Sequence, residues 1–477
     1  MMFFYVFITI GGCTPNPRFL TTYATSHHGV KNVRKKQEVK PVQEKQVVTA
    51  IVDTTQADGS TSGILQDTQQ LPPASQWGFD AQDSVQKTSM EPSLVRVGSH
   101  TDHTVRVLLN ANIKNATIVA SMTMSIHDGR ASQTICSKLM IERAEQRWAK
   151  VTIDGTEKSE VAFPCTLICV NEYSVVRVDG QSYRGSIVLL PGENGCSIVN
   201  VVGIEDYLRG VVPLEVGKGS EDVIEAVKAQ AVAARTYTYK KILENTAGQY
   251  DMHATVSDQV YGGVSAESEV CNKAIAATAG EVVLYHDSLI YAYYHSTCGG
   301  NTANVSDVWN KSSMPYLRSV RDGAGPYCGF AGPVEWEELW TKDQFSSIVN
   351  KYSKDAFPQN PCRGSITSIS LGSRFQCGRI RECRIATTEG NFVYGGDKIR
   401  FALRRNVAGF PILKSSYLTD AFVKGNTVVV RGKGYGHGVG MCQRGALGRA
   451  KAGMAYKEIL KAYYSDVEIK TIGINQQ

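Results

Sequence analysis

At about residue 204 the hydrophobic period of this chain changes, and no all-α or all-β fold accommodates both sides of the change. From Thr104 onward, short apolar runs (VRVLL, TIVASMTMSI, SEVAF, LICV, SVVRV, GSIVLL) alternate with Asp-Gly and similar turns, which predicts strands. From Ser220 to about Leu243 the chain is alanine-rich. There Ile224, Val227, Ala231, Ala234 and Thr238 fall on one helical stripe, while Lys228, Arg235 and Tyr239 fall on another. The pattern predicts an α+β fold, a strand-rich lobe followed by a helical region. Ser220, followed by Glu221 and Asp222, is the expected cap of the first long helix. A second helix is expected over 266–279, stopped by Gly280, and then a hairpin from EVVLY to LIYAYYHS. Residues 331–430 suggest a mixed lobe with an acidic helix around Trp336 and Trp340 and several strands. A glycine-rich loop and helices near 442–452 and 456–464 close the chain.

With 42% hydrophobic and 20% charged residues among 477, the composition is that of a soluble protein, and no run approaches the ~18 consecutive apolar residues of a spanning helix. The net charge of +6 is too dilute for nucleic acid, but suits an extended, weakly anionic partner. Residues 1–12 are apolar, and Ile10-Gly11-Gly12-Cys13 resembles a bacterial lipoprotein signal, although no Lys or Arg precedes Arg18. Cys13 is then the lipid attachment point. Residues 14–103, basic at first and then rich in Gln, Ser, Thr, Asp and Pro, form the expected disordered tether. Export to the cell envelope, facing the periplasm or extracytoplasmic space, would let the other cysteines form disulfides, such as Cys298 with Cys328 or Cys377 with Cys383.

Four blocks carry a family resemblance. They are IEDYLRGVVPLEVGKGSEDVIEAVKAQAVAARTYTY, SDQVYGG at 257–263, YYHSTCGGNTANVSDVW with PYLRSV at 293–320, and GKGYGHGVGMCQRGALGRAKAGMAYKEILKAYY at 432–464. In this order they resemble the stage II sporulation protein D family, also called the amidase enhancer family, over roughly residues 106–470. The resemblance implies a strand-rich lobe at 104–200 and a catalytic region at 201–330. It further implies a lobe or insertion at 331–430 and a segment at 431–477 that completes the catalytic region. It also implies a lytic transglycosylase that cuts the MurNAc-GlcNAc bond of peptide-stripped glycan strands and leaves 1,6-anhydro ends. Such an enzyme acts in wall remodelling at sporulation or division beside an amidase that removes stem peptides, and uses no cofactor. The competing reading from the family's second name is a non-catalytic glycan-binding enhancer of that amidase.

Glu215 is the only acid in the run VVPLEV, which precedes the Ser220 helix. Apolar surroundings raise a carboxyl pKa toward the value a general acid needs near neutral pH. The resemblance places Glu215 at the family's catalytic glutamate. Lys228 and Arg235, two helical turns apart, could meet the lactyl carboxylate of denuded muramic acid, although the same spacing equally describes a solvated or salt-bridged face. Gln259 and Tyr261 resemble the family's QVY motif, where hydrogen bonding and stacking to a sugar are expected and a plain strand end is the alternative. His295, His437 and Gln443 complete the expected substrate-binding set, with a structural role equally open for His437.

Gly434, Gly436, Gly438 and Gly440 do not make a dinucleotide fingerprint, because the third glycine is misplaced and no βαβ unit surrounds them. No metal site is expected. His295 and Cys298 are two ligands where zinc needs four, the other candidates (Cys271, Cys328, Cys362, Cys377, Cys383 and His286) show no close C-x2-C pairing, and the position where some relatives bind zinc is Ser257-Asp258 here. A cysteine peptidase built on Cys298 or Cys442 lacks an ordered Cys, His and Asn or Asp arrangement.

Overall fold

The computed structural model describes residues 104–472, apart from 131–133, 172, 310, 326 and 331. The expected signal with Cys13 and the tether at 14–103 lie outside the described residues. Alternating apolar residues build ten strands before residue 204: β1 (Thr104–Ile113), β2 (Ala116–His127), β3 (Thr134–Ala144), β4 (Trp148–Ile153), β5 (Glu157–Ala162), β6 (Cys165–Cys169), β7 (Val176–Val178), β8 (Gln181–Tyr183), β9 (Ser186–Gly192) and β10 (Gly195–Gly203). With β11 (Met252–His253) they form one sheet in the order β11-β1-β10-β9-β6-β2-β3-β4-β5, and β7 pairs with β2 and β8. Both an α and a β class are therefore present in one chain, as the change of period demands.

Helix α1 (Ile204–Val216) leaves β10 without a loop, so VVPLEV is the last part of a helix rather than a lead-in to one. It packs Tyr207, Leu208, Val211 and Val212 on the sheet. A 3-10 turn at Glu221–Val223 precedes α2 (Ile224–Glu244). Ser220 does not cap a backbone N–H; its hydroxyl goes to the Asp222 carboxylate instead.

Helix α2 is not a half-solvated helix with a cationic face. Val227, Ala231 and Ala234 belong to the sheet core, whereas Ala226, Ala229, Val232 and Ala233 belong to a second core on the other side. Small side chains all round are what permit close packing on both faces. Thr236 and Thr238 return their hydroxyls to carbonyls one turn back, which satisfies them inside this apolar setting.

Helix α3 (Glu269–Ala277) packs Cys271, Ala274 and Ile275 on the sheet core, whereas the second core gathers β12 (Glu281–Tyr285) with its hairpin partner β13 (Ser288–Leu289), β14 (Tyr294–His295) and α4 (Val305–Val308). Ser268 caps α3 by accepting the Cys271 N–H. The β12-β13 hairpin turns through His286 and Asp287, both left-handed with φ 48° and 56°.

Next comes a lobe with its own core: β15 (Glu335–Thr341), α5 (Lys342–Ala356), β16 (Ile366–Leu371), β17 (Cys383–Thr387), β18 (Gly390–Tyr394), α6 (Ile399–Ala402), β19 (Leu418–Lys424) and β20 (Thr427–Lys433). Its strands form two sheets, β15-β20-β19 and β16-β17-β18. Trp336 and Trp340 lie on β15 and not on the helix expected there. Their spacing of four fits both periods, but Trp336, Glu338 and Trp340 are buried while the residues between them are exposed, which is the period of a strand. The helix starts one residue later, where Thr341 and Gln344 make a capping box.

The chain then returns to the second core through β21 (Met441–Cys442), α7 (Gln443–Lys451), α8 (Tyr456–Tyr463) and β22 (Glu468–Thr471). Strand β21 pairs in parallel with β14, and β22 pairs antiparallel with β12. Among the described residues no helix is long and apolar enough to cross a membrane.

Candidate active site

Glu215 is the penultimate residue of α1, with its carboxyl partly buried where three chain segments meet. Oε1 accepts the backbone N–H of Val260 at 3.1 Å, and Oε2 accepts the side-chain amide of Gln443 at 3.3 Å. Burial pushes its pKa up to about 7, against the opposing pull of those two donors. A carboxyl so placed is largely protonated just below neutral pH, and its residual exposure leaves it reachable. Because Gln443 stabilises the charged form, Gln443→Ala should raise the Glu215 pKa further. The titration of this carboxyl, followed by NMR, should move to higher pH. An unchanged titration would separate Gln443 from this carboxyl.

The QVY segment acts from the interior. Gln259 is buried, where its Oε1 accepts the hydroxyls of Tyr207 and Thr238, both at 3.1 Å, and its amide donates to the Ala234 carbonyl at 3.3 Å. Tyr261 is buried against Tyr207, with ring centroids 4.9 Å apart, and its hydroxyl donates to Asn200 at 2.9 Å. Neither side chain is open to a sugar, which corrects the expectation. Their positions explain the motif another way, since the residue between them delivers its N–H to Glu215. Gly210 is part of the fit, because a Cβ there would stand 2.6 Å from the Tyr261 ring.

The two helix cations are also committed internally. Arg235 is fully buried, donating to both oxygens of Glu205 at 2.7 and 2.8 Å and to the Glu281 carbonyl at 3.1 Å. Lys228 pairs with Glu225 at 2.6 Å and lies over the Tyr456 ring. Thus Arg235 joins α1 and β12 to α2, and Lys228 faces α8. Neither presents a free cation to a glycan carboxylate. The helical period placed them on one stripe but could not show that a second core covers it.

His295 and His437 do come together, with ring centroids 5.5 Å apart. Burial lowers the pKa of His295 well below its usual value and takes His437 to about 4, so both are neutral at physiological pH. His295 Nδ1 lies 3.1 Å from the Val439 carbonyl, and His437 Nδ1 accepts the Val439 N–H at 3.0 Å. The glycine-rich loop fits so closely that a Cβ at Gly438 would strike the Arg379 guanidinium and one at Gly440 the Tyr293 carbonyl, both from left-handed backbone with φ 88° and 70°. The glycines serve the approach of loop to strand.

Beside these histidines stands an aromatic wall whose residues are not among the expected site residues, although Tyr293 and Trp309 are the two ends of the quoted block at 293–309. Trp309 lies 4.9 Å from His437 and 4.8 Å from Tyr293, and Tyr291 stacks on Tyr293 at 5.7 Å. Lys240 and Lys311 approach the Tyr291 ring at 4.9 and 5.4 Å. All three aromatic rings are partly exposed. The alternation of Tyr291, Tyr293 and His295 was the available signal.

The cysteines at 136, 165, 169, 196, 271, 298, 328, 362, 377, 383 and 442 are all free. Cys377 and Cys383 pack in different cores, so they are not the disulfide expected from sequence. Cys298 and Cys328 are neighbours with sulfurs 3.6 Å apart, and Cys442 and Asp322 join them. Four groups able to ligate a metal converge here although they are scattered over residues 298–442.

The family model for Stage II sporulation protein (SpoIID) matches residues 192–285, and a domain of unknown function matches residues 333–440. Over 293 residues the chain is 33% identical to an uncharacterised protein of Brachyspira hyodysenteriae, covering 61% of this chain and 73% of that one. It is 33% identical over 325 residues to the amidase enhancer of Bacillus subtilis, covering 61% of this chain but only 44% of the enhancer. With stage II sporulation protein D of Bacillus subtilis the identity is 29% over 286 residues, 57% of this chain and 75% of the relative.

Proposed function

The chain belongs to the stage II sporulation protein D family, and from that premise we propose that it is a peptidoglycan lytic transglycosylase acting on peptide-stripped glycan strands during cell-wall remodelling, at sporulation or division. The observation that carries this reading is Glu215, a partly buried carboxyl with pKa about 7, held through both oxygens by Val260 and Gln443.

In the reaction Glu215 gives its proton to the glycosidic oxygen as the bond from MurNAc C1 breaks. The 6-hydroxyl oxygen of the same MurNAc then bonds to C1 and returns its proton to the Glu215 carboxylate. No water is consumed, so one carboxyl serves as acid and then as base, where hydrolytic glycosidases pair two. The Val260 and Gln443 donors hold the group through both charge states. Trp309 and Tyr293 offer flat apolar faces for sugar rings, and Lys311, over the Tyr291 and Tyr293 rings, supplies positive charge of the kind first assigned to Lys228 and Arg235. Trp309→Ala should raise KM about 5- to 10-fold with kcat retained, the loss of roughly 1 kcal/mol of stacking. Unaltered KM on denuded strands would exclude this wall from substrate binding.

The proposed setting is extracytoplasmic, on a lipid anchor at Cys13. The deciding experiment digests amidase-stripped glycan with the full chain and looks for 1,6-anhydro ends by mass spectrometry. Bound but uncut glycan would instead favour an enhancer of amidase action, the reading that the name of one relative supports.

A further inference from the structure

Three thiols and one carboxylate meet behind the Gln443 end of α7. They come from the loop after β14 (Cys298), the 322–328 loop (Asp322 and Cys328) and the residue that caps α7 (Cys442). All four residues are 0% exposed, and their sulfur and carboxylate oxygen atoms lie within 4.8 Å of one another. We propose that Cys298, Cys328, Cys442 and Asp322 bind one zinc ion in a closed, structural site. This inference goes beyond the transglycosylase reading and does not depend on it.

The dimensions suit a single ion. A tetrahedral zinc with sulfurs at ~2.3 Å separates them by about 3.8 Å, and Cys298 and Cys328 already stand 3.6 Å apart; closing the widest pair asks for about 1 Å. The backbone is arranged for sulfur carrying negative charge. Cys442 Sγ accepts the N–H of Cys298 at 3.2 Å and, at the N-terminus of α7, that of Gly445 at 3.3 Å. Cys298 Sγ accepts the Gly300 N–H at 3.4 Å. Asp322 is held in place by further donors, as metal-ligating carboxylates usually are: Oδ1 accepts the Tyr463 hydroxyl at 2.7 Å and lies 3.5 Å from Arg449, while Oδ2 accepts the backbone N–H of Cys328 at 2.7 Å.

A Cys298–Cys328 disulfide is the rival arrangement. It would engage only two of the four converging groups, whereas one divalent cation engages all four. Binding converts the coordinating thiols to thiolates and releases their protons. Soft sulfur donors with one carboxylate select zinc over calcium or magnesium. The ion would fasten together three segments distant in sequence, one of which carries Gln443 to Glu215.

The test is metal analysis and native mass spectrometry of the full-length chain purified with reductant and without chelator. One zinc per chain is expected, with tetrahedral thiolate-cobalt absorption after cobalt exchange. Cys328→Ser and Cys442→Ser should each weaken zinc binding about 100-fold or more, while Cys169→Ser, far away on β6, keeps full occupancy. The cobalt spectrum of the unsubstituted chain decides the matter even where a variant does not fold. Reduced protein that takes up neither zinc nor cobalt overturns the proposal, as does a metal-free chain whose non-reducing peptide map contains a Cys298–Cys328 disulfide.

Discussion

Glu215→Gln should lower the rate of anhydro-end formation about 1,000-fold or more while denuded glycan still binds. The amide keeps the shape of the side chain and its contact region with Val260 and Gln443, but has no proton to give to the leaving oxygen and accepts none from the 6-hydroxyl. A general acid or base contributes roughly 100- to 10,000-fold, and here one group holds both roles. With a pKa of about 7, the unsubstituted enzyme should lose kcat/KM as pH rises through neutrality, since the reactive form is protonated. Undiminished product from the variant removes Glu215 from the chemistry.

The same substitution has a stability signature with a fixed sign. The Glu215 carboxyl titrates near 4.5 when unfolded and near 7 when folded, so the native state binds more protons between those values. Its contribution is therefore fully present below about pH 4.5 and lost as pH rises through about 7. Glu215→Gln should gain stability relative to the parent between pH 5 and pH 8, by about 1–3 kcal/mol given the partial exposure of the group. Calorimetry at both pH values checks this, and a gain that does not vary with pH would contradict the raised pKa.

Glu205→Ala should destabilise the fold by about 3 kcal/mol or more, far beyond what an exposed ion pair is worth. Glu205 itself is 39% exposed on its side chain, but its partner Arg235 is 0% exposed. Without the carboxylate the guanidinium keeps only the carbonyls of Glu281 and Ile275 and carries an uncompensated charge between two cores. Urea unfolding gives the measurement, and a loss below about 1 kcal/mol would mean that the pair behaves as a surface bridge. Arg235→Lys adds the functional contrast. If Arg235 instead held a glycan carboxylate, it would raise KM without a drop in Tm, whereas the observed pairing predicts a drop in Tm.

Much of the architecture comes from local pattern. The strands before residue 204 and helices α7 and α8 appear where period and turn residues placed them, because those signals act within a few neighbouring residues, whereas the expected hairpin keeps its turn but only two residues of its second arm, and Tyr294–His295 pairs with β21 instead. Trp336 and Trp340 were misread because a spacing of four serves a helix and a strand alike, and only pairing of β15 with β20 selects the strand. Gln259 and Tyr261 stand where a motif called for site residues, yet the contribution of that segment to Glu215 comes from the main chain of Val260, which a side-chain reading does not reveal.

By itself the sequence determined the α+β class, the family and the isolation of Glu215 in an apolar run. Those properties reside in residue identity and short-range order. Only the tertiary structure decided that α2 is covered on both sides, that Arg235 is an internal tie and that His295 meets His437. It also decided that sulfurs of residues 144 apart, Cys298 and Cys442, share one enclosure. Burial and convergence depend on which distant segments pack together, and the free energy of that packing is a property of the whole core rather than of any window along the chain.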